Sequence, residues 1–185
     1  MRRSTSRRCA LAGVLAVALA AGCGGDPATT ASFTDPAAHF QFTYPVAFVK
    51  GFSNVGSEVD GRPPTFKATV GIDATNVVIV ATYPLRKPFE SYGGHEKFRS
   101  FVDTAARTIV RFEGARITKL VDRALGPLAG YGYDVLLPDG ATHEELTFAF
   151  KGSVEYFLRC HWDASGAKAV PAACTMARTT FALAT

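Results

Sequence analysis

Between His95 and Phe112 the apolar residues fall at Phe98, Phe101, Val102, Ala105, Ile109 and Phe112, the spacing of one face of an α-helix. On either side of that stretch they alternate, or run continuously, as they do in strands. Gly93-Gly94 precede the helical stretch and Gly114 follows it, residues that let the chain leave helical geometry without steric cost. One long helix set among short strands joined by tight turns confines the chain to an α+β arrangement built on an antiparallel sheet.

The strands before the helix read as follows. Residues 39–45 alternate, with Phe40, Phe42 and Tyr44 on one face, and Pro45 ends the run because it has no N–H for the ladder. Residues 50–64 read as a loop. Residues 65–73 carry Phe66, Ala68, Val70 and Ile72 on one face. Residues 77–85 form an unbroken β-branched and aromatic run, the mark of a central strand covered on both sides. After the helix come strands at 115–124, 130–137, 142–150 and 154–162. The Pro138-Asp139-Gly140 and Lys151-Gly152 turns make the last three an antiparallel meander. Residues 167–177 read as a final helix, with Pro171 tolerated in its first turn, and 179–183 as an extended tail. The expected total is a sheet of about six or seven antiparallel strands sandwiched by helices.

The start of the chain belongs to a different category. Arg2, Arg3, Arg7 and Arg8 precede an apolar run at residues 11–21, the layout of a secretory signal peptide. Eleven helical residues reach only about 16 Å, against a hydrocarbon core of about 30 Å, so the run is too short to span a bilayer. It ends in Leu19-Ala20-Ala21-Gly22-Cys23, which resembles a bacterial lipoprotein lipobox, although Ala20 stands where a leucine is usual. Residues 1–22 are thus expected to be removed and Cys23 to be lipidated, placing the rest on the extracytoplasmic face of the cell membrane. An ordinary cleaved signal is the alternative, and an uncleaved apolar anchor a third reading. Ser6-Arg7-Arg8 also resembles part of a twin-arginine signal, with Ala10 where a bulky residue is usual; the general secretory route is the default. Residues 23–37, rich in small polar residues and proline, read as a flexible tether spanning about 20 Å, and residues 38–185 as one folded domain.

Removal of residues 1–22 changes the charge argument. The whole chain has 20 Lys and Arg against 16 Asp and Glu, but four of the arginines lie in the segment removed, which leaves 16 of each sign. The basic balance is a property of the signal, and no concentrated basic surface remains to suggest nucleic-acid binding. Cys9 leaves with the signal, and Cys160 and Cys174 remain besides Cys23. In an oxidising compartment these two are expected to pair and to staple the final helix to the sheet. Their separation is not that of a CxxC redox or metal motif.

The order of elements carries a resemblance. An aromatic first strand ends in Tyr44-Pro45; a β-branched strand and a helix follow. The meander then contains Leu128-Ala129-Gly130-Tyr131, Phe148-Ala149-Phe150-Lys151-Gly152 and Tyr156-Phe157-Leu158-Arg159-Cys160, and the chain closes with Ala173-Cys174 and Thr179-Thr180-Phe181. Over residues 38–184 this resembles the PsbP-like superfamily, which takes in an extrinsic photosystem II subunit, a nuclear-import cofactor that binds the Ran GTPase, and bacterial envelope lipoproteins. The resemblance implies a helix-covered antiparallel sheet. It implies no activity, since fold alone does not determine function.

Motifs of catalysis are absent from the sequence: it has no GxSxG, P-loop, HExxH or GxGxxG. His143-Glu144-Glu145 reads as a solvated strand end, with His143 and Glu145 on one face and Glu144 on the other. His161 and Trp162 are candidates for the rim of a ligand pocket, or for a strand cap beside the disulfide. No metal site and no cofactor are expected. The reading is a lipid-anchored, non-enzymatic binding or scaffolding protein of the envelope, whose partners are the membrane through Cys23 and an envelope protein. A carrier of a small apolar ligand or peptide is the alternative, and an unrecognised hydrolase a further one.

Overall fold

The computed structural model describes residues 29–35, 37–52 and 62–184. The signal segment at 1–22 and Cys23 lie outside them. Among the described residues ten strands and two α-helices follow one another: β1 (Thr30–Asp35), β2 (Phe40–Pro45), β3 (Val49–Lys50), β4 (Phe66–Gly71), β5 (Val77–Pro84), α1 (His95–Phe112), β6 (Arg116–Asp122), β7 (Gly130–Leu136), β8 (His143–Lys151), β9 (Val154–Trp162), α2 (Ala169–Thr180) and β10 (Ala182–Leu183). A 3-10 turn at Phe89–Tyr92 leads into α1. Seven strands form an antiparallel sheet in the order β3-β4-β5-β9-β8-β7-β6, and a small sheet has the order β1-β2-β10.

The large sheet separates two apolar layers. On one face α1 lays Phe98, Val102, Ala106, Ile109 and Val110 against Tyr131, Tyr133, Leu146, Phe148 and Phe157. On the other, α2 and the small sheet pack Val170, Ala173, Phe40 and Phe42 against Val78, Val80 and Leu158. The period-two side-chain rule lets one strand serve both: Val78 and Val80 face α2, Ala81 and Tyr83 face the α1 layer. As the unbroken run at 77–85 indicates, β5 is buried from Val77 to Tyr83.

Two tyrosines of β7 hold α1 in place. The Tyr131 hydroxyl donates to the His95 carbonyl at 2.6 Å, and the Tyr133 hydroxyl to Asp103 Oδ1 at 2.5 Å. The His95 ring lies flat on Tyr131 with centroids 4.1 Å apart, and Arg99, ion-paired to Asp122 of β6, covers the same ring. Burial pushes the Tyr131 hydroxyl up to about 12, so both rings stay neutral donors through the physiological range. At the far end of β5 the buried Asn76 joins two loops. Its amide donates to Asp73 Oδ2 (2.9 Å) and to Ser165 Oγ (3.0 Å), and its carbonyl oxygen accepts from the Asp163 N–H (3.2 Å). A Cβ at Gly166 would sit 1.9 Å from that oxygen, so only glycine lets the loop close. The pairing of Cys160 with Cys174 is present, joining β9 to α2 across 6.0 Å between Cα atoms. The loop it closes makes it worth about 3 kcal/mol in the chain-entropy account.

Two expectations are corrected. The flexible tether at 23–37 is shortened, because Thr30–Asp35 forms β1 and pairs with β2 from Thr30↔Pro45 to Asp35↔Phe40. Its alternation is hidden among small residues, and one aromatic, Phe33, stacks 5.2 Å from Phe42. The domain therefore includes β1, ahead of the expected boundary at 38. The buried stripe of α1 is also rotated from the one read in the sequence: Phe101 is 60% and Phe112 81% exposed, while Ala106 and Val110 are buried in their place. The tyrosine and ion-pair contacts of Asp103 and Arg99 set that rotation.

Phe98→Ala should cost about 3–5 kcal/mol, the usual range for deleting a buried aromatic, and Phe112→Ala less than about 0.5 kcal/mol. Urea unfolding of the two variants distinguishes this register from the one expected.

Candidate functional site

Strand β9 carries three charged or ionisable residues at alternate positions, Glu155, Arg159 and His161, within an otherwise apolar strand. Alternation turns them to the α1 face along with Phe157. Opposite His161 on β8 stands Glu144, which is completely buried and not the solvated strand end expected of His143-Glu144-Glu145. Arg159 Nε donates to Glu144 Oε1 at 3.0 Å, its Nη2 reaches the same oxygen, and Nη2 also meets Glu113 Oε1 at 2.5 Å. His161 Nδ1 lies 2.5 Å from Glu144 Oε1. Glu113 stands at the C-terminus of α1, so the cluster ties that end of the helix to the sheet.

Burial alone would raise the Glu144 carboxyl, but the His161 bond and the Arg159 charge outweigh it and hold the group below its ordinary 4.5. Glu113 moves the other way, because burial dominates and Arg159 offsets it only in part. The second oxygens of both carboxylates, Glu144 Oε2 and Glu113 Oε2, are buried without a hydrogen-bond partner among the described residues. A buried ion pair with unsatisfied oxygens adds little net stability while intact and is costly to break.

Glu145 faces the opposite layer. Burial raises its carboxyl, and it lies 3.6 Å from both Arg123 and Arg178, with Arg123 bonded to Asp134 at 2.7 Å. His143 shares that face and stacks on Trp162 with ring centroids 5.8 Å apart. Thus His161 and Trp162 point to opposite sides of β9, one into the ionic cluster and the other onto His143.

One cleft on the α1 face, of about 100 Å³, is lined by Phe98, Phe101, Val102, Ala105, Phe148 and Phe150. Arg62 and Glu155 form its polar side, 3.5 Å apart, and Arg62 also donates to the Pro84 carbonyl at 3.2 Å. Neither His161 nor Trp162 lines it. The sequence held a signal for Glu155 and Arg159, charges inside an apolar strand. It held none for Arg62, which comes from a loop, or for Glu113, which reaches the cluster only when α1 docks. Among the described residues no three His, Cys, Asp or Glu side chains are grouped to hold a metal. No helix there is long and apolar enough to cross a membrane.

No protein-family model matches the sequence, and no curated protein sequence does. Solved structures do match. The solution structure of cyanobacterial PsbP (CyanoP) from Synechocystis sp. aligns over 87% of this chain and 96% of its own, with a TM-score of 0.56 at 14% identity. A crystal structure from Bacteroides thetaiotaomicron aligns over 83% of this chain and 48% of its own, at 12% identity and a TM-score of 0.48, too low to support an argument. The fold is PsbP-like, an antiparallel sheet with helices on its two faces. At such identity the likeness concerns the fold alone.

Arg159→Met should destabilise the domain by about 3–5 kcal/mol because it strands the buried Glu144 carboxylate and the half-buried Glu113, and adding Glu144→Leu should restore part of the loss. Urea unfolding of both variants measures it. A carboxyl whose folded pKa is depressed stabilises the fold above its unfolded value and loses that contribution as the pH falls through the folded one. The stability difference between the native protein and Glu144→Gln should therefore hold above pH 4.5 and narrow as the pH is lowered below it.

Proposed function

We propose that the chain is an extracytoplasmic lipoprotein, anchored in the cell membrane through Cys23, whose domain binds or scaffolds an envelope partner and does not catalyse a reaction. One observation carries the reading. The ionisable residues on the α1 face, Glu144, Arg159, His161 and Glu113, are spent on one another in the fold, while the cleft open to solvent is walled by aromatic and aliphatic side chains. A catalytic site needs a titratable group facing the cavity where a substrate sits. Here the groups facing the cleft are Arg62 and Glu155, which pair with each other at its edge. A PsbP-like fold and a disulfide suited to an oxidising compartment are consistent with a passive envelope role.

The size of this cleft favours a partner's side chain over a carried ligand. Small-molecule pockets usually enclose about 300–1,000 Å³, and this cleft offers about 100 Å³. It suits one apolar side chain of a partner, flanked by the exposed Phe101, better than a free acyl chain. The carrier reading stands second, supported by the apolar lining alone.

The test is the intact mass and fractionation of the protein in its native envelope, against Cys23→Ala. The native protein should lack residues 1–22, carry acyl chains and stay with the membrane, and Cys23→Ala should appear unacylated in the soluble fraction. An unacylated soluble native product sinks the anchor. A photo-crosslinking residue in place of Phe101 should yield a discrete protein adduct in intact cells, whereas labelling of lipid or of nothing would count against the partner.

A further inference from the structure

The exposed large apolar side chains of the described fold fall in two groups at opposite edges of the large sheet. Phe101 and Phe112 lie on α1, with Leu120 on the β6 edge beside it. Val46, Val49 and Ile72 lie at the β3 edge, 59%, 54% and 45% exposed. Backbone bonds gather the second group. The Phe48 N–H donates to the Pro45 carbonyl at 2.9 Å, turning the chain between Val46 and Val49. Val49 pairs with Gly71, so Ile72, the next residue, flanks the same sheet edge from the other side of the strand. Lys50 follows Val49 at the same edge and turns to the other side of the strand, with its ammonium 5.5 Å from the Phe33 ring centroid.

This edge is also where the described fold begins. The Val46 N–H donates to the Thr29 carbonyl at 3.1 Å, so the patch is bonded to the first described residue. Thr29 lies six residues from Cys23. Six residues reach at most about 22 Å even at full extension. A Cys23 held in a bilayer therefore keeps Thr29 within that distance of the headgroups, with Val46 bonded directly to it.

We propose that Val46, Val49 and Ile72, with Lys50 beside them, form the surface on which the domain rests against the phospholipid bilayer that carries its anchor. The proposal rests on the lipid-anchor reading. Three aliphatic side chains would not bring a free domain to a membrane. Once a lipid holds it there, the contact is intramolecular, and a weak interfacial preference suffices to orient the domain. Aliphatic side chains enter the boundary between headgroups and acyl chains, and the Lys50 ammonium faces anionic headgroups. None of the patch residues lines the α1 cleft, so contact at this edge leaves the cleft's own walls uncovered.

The experiment uses the processed, acylated protein in vesicles of equal phosphatidylcholine and phosphatidylglycerol, with a nitrobenzoxadiazole dye on a single new thiol at Val49→Cys or Phe112→Cys. Both positions are exposed, so neither change strains the fold. The dye at 49 should shift its emission to the blue on reconstitution and be quenched by lipid carrying a doxyl group, while the dye at 112 stays open to aqueous iodide. Equal iodide quenching at both positions, with the protein still bound to vesicles, overturns the proposal and leaves the anchor standing. Intact mass of the same samples reports the anchor separately: a native protein without acyl chains overturns the anchor reading, and the proposal with it.

Discussion

The structure depends on the pairing of β5 with β9, eight residue pairs from Val77↔His161 to Pro84↔Val154. Both strands lie inside the seven-stranded sheet and are buried along nearly their whole length, so neither could stand as an edge without leaving its backbone groups unpaired out of water. Because alternate side chains point to opposite faces, this pair is the partition between two apolar layers. The α2 layer rests on Val78, Val80, Leu158 and Cys160, and the α1 layer on Ala81, Tyr83 and Phe157. A one-residue slip would exchange the two sets and turn Arg159 onto the α2 layer.

The same strand that carries the disulfide on one side carries the ionic cluster on the other. Cys160 ties β9 to α2, and Arg159 ties it, through Glu113, to the end of α1. One connection is covalent and insensitive to pH; the other is a buried charge balance in which Glu144 is held ionised and Glu113 is pushed toward its neutral form. Glu144, Arg159, His161 and Glu113 are thereby engaged with one another in holding α1 to the sheet.

Much of the fold was legible in the sequence, because strand and helix periods are properties of residue order. The α1 boundaries, the buried run of β5 and the meander of β7, β8 and β9 appear where the patterns placed them. β1 was not legible. Thr30, Ser32 and Thr34 offer no apolar alternation, and Phe33 becomes a strand residue only because Phe40 and Phe42 lie across from it. The exposed Phe101 and Phe112 misled for the opposite reason: an apolar residue at helical spacing signals a face, but the docking of Asp103 on Tyr133 decides which face is turned inward.

The candidate site was legible in part. Glu155 and Arg159 are charges within an apolar strand, a signal the reading of the sequence did not take up, and nothing local says that Arg159 meets Glu144, fifteen residues away, or Glu113, forty-six residues away. By itself, the sequence determined most of the elements, their buried faces over most of the sheet, and the two cysteines available to pair, since each of these follows from short-range order and composition. Tertiary structure alone decided the rotation of α1, the burial of Glu144, the Arg62–Glu155 side of the cleft and the apolar patch beside Thr29. Each of those depends on which distant residue arrives opposite, and a side chain's charge or greasiness acquires its energetic meaning only when that neighbour is in place.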